Sequence, residues 1–313
     1  FLTSDAVHTF GKILVILQKI STMWIALALL SALCLGFYDV FKKLSVRGND
    51  VLMVLMLNTV FGAVLMLPVI AGAVYAGNYG FGNSVYGHLM ILGKSAIVLC
   101  SWLLGYFAIK HLPMTVQGPI NASRPVLVLV GAMLLYGEWL NQLQWAGVII
   151  GFVSLLLISR TGMREQSGKG AGKWLLMSVG ATMFGAVSGL YDKFLLSRYE
   201  PLDVQSWYSL YQCVIMVAVI SVIRGRGNAA ASFNWRWSIP CIAVFLTAAD
   251  LFYFYALSLP GAMIGIVSMM RRGSVVISFM YGVMALHEKN IGPKLIDLGL
   301  LLVSLTLLVL GSD

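Results

Sequence analysis

Apolar runs of roughly 20 residues follow one another along almost the whole chain, and each is long enough, at about 1.5 Å per residue, to cross a hydrocarbon layer about 30 Å thick. Of 313 residues, 59% are hydrophobic and only 11% charged, whereas a soluble domain keeps about 25% charged residues to wet its surface. The solvent of this chain is therefore lipid. Within lipid every backbone N–H and C=O must be bonded internally, so the runs are helices. A membrane barrel would need strict two-residue alternation, which is absent.

The expected architecture is an all-α membrane protein of ten transmembrane helices. The spans are read at 24–41, 51–75, 91–109, 113–135, 142–159, 174–196, 205–223, 238–257, 260–286 and 293–310. Residues 1–22, where Asp5, His8, Lys12 and Lys19 interrupt a short apolar stretch, are expected to form a tail. The one long polar connection, within 161–173, separates a first five-helix unit (23–160) from a second (174–313). The net charge of +9 does not mark a nucleic-acid binder. Its basic residues are spread over the short gaps between spans, as in Lys42, Lys43 and Arg47, or Arg224, Arg226 and Arg236. That is how cytoplasmic loops are marked. Cys34, Cys100, Cys213 and Cys241 stand apart, with no CxxC spacing, so no disulfide framework or zinc site is expected.

The two halves echo each other. Gly36-Phe37-Tyr38-Asp39 at the end of the first span faces Gly189-Leu190-Tyr191-Asp192 at the end of the sixth. The stretch Tyr106 to Pro113 faces Tyr253 to Pro260, the arginines Arg124 and Arg271 stand at the same distance past those prolines, and Glu138 and Glu288 close the two fourth spans. Because five is odd, the second copy enters the membrane from the opposite side. Two inverted five-helix repeats are thus expected, related by a pseudo-twofold axis in the membrane plane.

With the "Y-F-A-x-x-x-L-P" approach to the fourth helix, the "Y-G-E" or "L-H-E" exit and the Gly-rich last helix, the chain resembles the EamA-type transporters of the drug/metabolite transporter superfamily. That resemblance implies secondary transport of a small metabolite across a bacterial cytoplasmic (inner) membrane, with no enzymatic activity and no cofactor. The second half departs from the first in one respect, the interval from arginine to glutamate, which is three residues longer from Arg271 to Glu288 than from Arg124 to Glu138.

A charge at the bilayer centre costs at least about 2.5–3.5 kcal/mol, so each needs a partner, water or a task. Arg124, Arg271, Arg272 and Asp250 all fall near mid-span. Gln117, Asn121 and Arg124 share one face of the fourth helix by their spacing, and Ser268 shares a face of the ninth with Arg271 or Arg272. Tyr106 and Tyr253 complete the candidate substrate-binding set as possible stacking surfaces. Three guanidiniums against one carboxylate favour an anionic or zwitterionic solute. The competing reading is structural, with Asp250 neutralising an arginine and Arg124 bonded to backbone carbonyls. Asp39 and Asp192, expected near opposite membrane faces, are candidates for gating or proton coupling, or for plain interfacial pairing of Asp39 with Lys42 and Lys43. Lys94 is expected to snorkel to the headgroups, and Glu138 and Glu288 to sit at wet helix ends.

No GxxxxGK[ST], HExxH or GxSxG motif occurs, which argues against ATP as the chain's own energy source and against an intramembrane enzyme. A lipid-linked-sugar flippase is the closer alternative. Thirteen of the 21 basic residues lie on the side of the odd-numbered connections, so the positive-inside rule puts both termini outside. Superfamily members are more often drawn with cytoplasmic termini. Partners are the bilayer and a small solute, the assembly a monomer or homodimer, and no metal is expected.

Overall fold

The computed structural model describes residues 4–46, 48–81, 84–111, 120, 123–161, 172–225, 233–274, 276–277 and 291–311. Among them the chain is helical throughout: α1 (Ser4–Val46), α2 (Val51–Tyr75), α3 (Val85–His111), α4 (Arg124–Tyr136), α5 (Gln142–Thr161), α6 (Gly172–Leu196), α7 (Pro201–Gly225), α8 (Ser238–Ser258), α9 (Ile264–Met270) with a 3-10 turn at Arg271–Gly273, and α10 (Ile291–Leu310). Six of these helices are long and apolar enough to cross a membrane by themselves, while Arg124–Tyr136, Gln142–Ser154 and Gly299–Leu310 are shorter apolar pieces. The protein is a multi-pass membrane protein.

Local chemistry sets the helix ends. Asp50 caps α2, its Oδ1 accepting from the N–H groups of Leu52 at 3.0 Å and Met53 at 3.3 Å. Gly137 stops α4 in the left-handed region at φ 63°, where a side chain would be strained. Helix α1 is continuous from Ser4, over the residues expected to form a tail, and its Met23–Val46 part is the candidate span. The polar residues before Met23 interrupt the hydrophobic run, but none of them breaks a helix.

Helices pack in pairs drawn one from each half. Helix α1 lies along α8, α3 along α6, α2 against α7, α4 against α9 and α5 along α10. With no hydrophobic drive between helices in lipid, close approach and hydroxyl bonds hold such pairs. Ser31 Oγ donates to the carbonyl of Ala249 at 2.7 Å, and Ser101 Oγ to that of Ala181 at 2.7 Å. Between α5 and α10, Ser304 Oγ donates to the Gly147 carbonyl at 2.6 Å. A Cβ on Gly147 would stand 2.9 Å from Leu308 Cγ and 3.1 Å from the Ser304 carbonyl oxygen. That contact needs glycine.

Candidate functional site

A hollow of about 410 Å³ lies inside the bundle and is bounded by α1, α3, α4, α6, α7, α8, α9 and the 3-10 turn. Arg124, Arg271, Arg272, Asp250, Ser268, Tyr253, Asp39 and Asp192 all line it. Gln117 and Asn121 lie outside the described residues, as does the side chain of Tyr106.

The three arginines are held differently. Arg124, the first residue of α4, donates from Nη2 to the carbonyl oxygen of Gly185 on α6 at 2.7 Å. A Cβ at position 185 would come within 2.6 Å of the guanidinium carbon. Arg271 donates from Nη2 to Asp250 Oδ1 at 2.9 Å, and its guanidinium lies 4.1 Å from the Tyr253 ring centroid. Its Nε–H is buried without a hydrogen-bond partner among the described residues. Arg272 and Lys42 both lie close enough to Asp39 to act on it electrostatically. A buried donor left over on a cation in lipid is costly, and an anionic oxygen is the group that best satisfies it.

Two sequence expectations are overturned. Lys94 does not snorkel: it is 2% exposed, forms an ion pair with Asp192 and lines the cavity. Its ammonium sits 4.1 Å from the Phe254 ring centroid and 4.5 Å from that of Tyr208. Nine residues into α3, it is roughly 14 Å from the helix start, too deep for its stem to reach the headgroups against a buried carboxylate. Glu138 is not at a wet helix end but is 8% exposed. It pairs with Lys193 and accepts from the N–H groups of Ile264 at 3.1 Å and Gly265 at 3.4 Å, so it caps α9. Lys193 also donates to the Ala262 carbonyl at 2.7 Å. The expected position of Glu288 lies outside the described residues. Asp39 and Asp192, from the two halves of the chain, both line the one cavity.

Among the described residues, ten helices enclose a hollow with charged walls. Residues 22–160 match the EamA-like transporter family. Over this segment the chain is similar to EamA-like transporters. One solved structure, a crystal structure described only as that of a protein, superposes on 92% of this chain and 95% of its own with a TM-score of 0.69 at 14% identity. That likeness is one of fold and extends well beyond the EamA-like segment. No curated protein matches. The cavity wall is shared between the EamA-like segment, which supplies Asp39, Lys94 and Arg124, and the second half, which supplies Asp192, Asp250, Arg271 and Arg272.

Tyr208 and Phe254, which flank the Lys94 ammonium, were not distinguishable in sequence. An aromatic residue in an apolar span is indistinguishable from packing until its neighbours are known.

Proposed function

We propose that the protein is a secondary active transporter that carries a small anionic or zwitterionic metabolite across the bacterial cytoplasmic membrane by alternating access. The observation that carries this reading is the mid-bundle cavity with Arg124, Arg271 and Arg272 on its wall and the Arg271 Nε–H without a partner. Guanidiniums offer forked donors to carboxylate or phosphate oxygens.

The pairing of helices supports two inverted repeats. First-half helix 1 pairs with second-half helix 3, and first-half 3 with second-half 1, while 2, 4 and 5 each pair with their own counterparts. A pseudo-twofold axis produces that exchange. In the alternating-access reading, the Lys94–Asp192 and Glu138–Lys193 pairs tie the bundle on the side of the termini, and they separate when the cavity opens there. Asp39 serves the opposite side. Gln117, Asn121 and Tyr106 belong to the proposed lining of the fourth helix and its approach.

The test is uptake or counterflow in proteoliposomes with anionic, zwitterionic and cationic metabolites, with and without a pH gradient. The expected substrate is anionic or zwitterionic, and Arg124→Ala and Arg271→Ala lower its transport at least about tenfold, as loss of a charge-assisted bond of roughly 1.5–3 kcal/mol requires. If both variants reach the membrane in normal amounts and transport at the wild-type rate, the solute path lies elsewhere.

A further inference from the structure

Beside the main cavity, between α2, α7 and α8, lies a second hollow of about 20 Å³, the size of a single water-sized particle. Its wall is oxygen-rich in a membrane interior where oxygen is scarce. Asn58 (5% exposed) and Gln205 (2% exposed) each line it, and each carries a buried side-chain carbonyl oxygen with no hydrogen-bond partner among the described residues.

Two of the neighbouring hydroxyls give their hydrogens elsewhere. Thr59 Oγ1 donates to the Met56 carbonyl at 2.7 Å, and Ser209 Oγ to the Gln205 carbonyl at 2.9 Å. Gln205 Nε2 donates in turn to Ser209 Oγ at 3.3 Å, which fixes the side-chain amide with its oxygen turned away from that bond. The two orphan amide oxygens thus share the hollow with the Tyr208 and Thr247 hydroxyls and the Asp250 carboxylate. A small hard cation meets every lone pair at once, and carbonyl, hydroxyl and carboxylate oxygens are the ligands such ions take.

We propose that this hollow is a binding site for a sodium-sized monovalent cation, and that its occupancy is linked to the main cavity through Asp250. A single carboxylate, already shared with a guanidinium, suits one positive charge better than two. Asp250 is common to both walls, and its Oδ1 holds Arg271 at 2.9 Å. A cation on the other flank of that carboxylate draws on the same negative charge and loosens its hold on Arg271. The guanidinium then turns to a solute anion, so cation and solute bind cooperatively. This linkage, unlike the cation site itself, rests on the transport reading.

The experiment has two arms on the full-length purified protein. In thermal unfolding, NaCl is compared with choline chloride at equal ionic strength. Sodium is expected to raise the melting temperature by roughly 2–4 °C over choline. Asn58→Ala and Gln205→Ala are expected to raise the half-saturating sodium concentration about tenfold, as loss of one ligand at about 1.4 kcal/mol gives. Gln205→Glu keeps the shape, adds charge and lowers that concentration, which provides a readout should an alanine variant fail to fold. Equal stabilisation by choline, or a sodium response unchanged in these variants, overturns the site and leaves the hollow to water. In proteoliposomes an inward sodium gradient is expected to stimulate solute uptake. Uptake indifferent to sodium overturns the linkage, whereas sodium stabilisation with no uptake of any solute overturns the transport reading and leaves the cation site standing.

Discussion

Lys94 and Asp192 stabilise each other in surroundings where neither charge could stand alone. Removing one partner of a buried pair costs about 3–5 kcal/mol, because the survivor keeps its desolvation penalty. Lys94→Met is therefore expected to lower the melting temperature in detergent markedly, and the double change Lys94→Met with Asp192→Asn to recover most of the loss. A double variant as unstable as the single one would show that the pair is not what holds these helices. At Gly185 the logic is steric. A methyl there would stand 2.6 Å from the Arg124 guanidinium carbon, and the end of a flexible side chain gives way more cheaply than backbone. Gly185→Ala is thus expected to displace Arg124 from the Gly185 carbonyl and reduce transport, at a stability cost of about 1–3 kcal/mol for the lost charge-assisted bond. Melting temperature and initial uptake rate measured on the same preparation separate the two effects. Sequence singled out Arg124, Arg271, Arg272 and Asp250, since a charge within an apolar run is conspicuous, and all four line the cavity. It misplaced Lys94 and Glu138, because depth along a helix does not say whether a buried partner waits on the neighbouring one.

At the scale of elements, two contacts bear on stability and on opening. Glu138 at the end of α4 caps α9 and pairs with Lys193 of α6, so one carboxylate joins three helices. Glu138→Ala is expected to cost about 1–3 kcal/mol, the penalty of orphaned buried donors and a lost cap, measured as a lower melting temperature. If the contact also latches the termini side, a cysteine placed in loop 259–263 becomes more reactive to maleimide in that variant. The α5–α10 seam depends on Gly147, where Leu308 and the Ser304 backbone leave no room for a side chain. Gly147→Leu is expected to cost about 1–3 kcal/mol through overpacking. A melting temperature within error of wild type would refute that account of the seam. Six of the ten expected spans, read from hydrophobic run length, are helices long and apolar enough to cross a membrane among the described residues. The helix reaching back to Ser4 could not be read that way, because polar residues that end a hydrophobic run do not end a helix.

For the whole molecule, the positive-inside rule predicts residues 47–50 and 162–171 on the cytoplasmic side and residues 137–141 and 197–200 outside. In a cysteine-free background, a single cysteine at Trp139 is expected to react with an impermeant maleimide added to whole cells, and one at Asn49 only after lysis. The reverse pattern would show that packing and insertion order, not the loop charges, set the orientation. Sequence by itself determined the solvent and the helical character of the chain. Each of these follows from hydrophobicity and spacing along one dimension. Tertiary structure alone decided which charges neutralise which, that Lys94 and Glu138 turn inward, and that Asp250 stands between two hollows. Those outcomes depend on pairs of helices far apart in the chain and touching in space, and in lipid the partner a polar group finds, more than its own chemistry, fixes where it can stay.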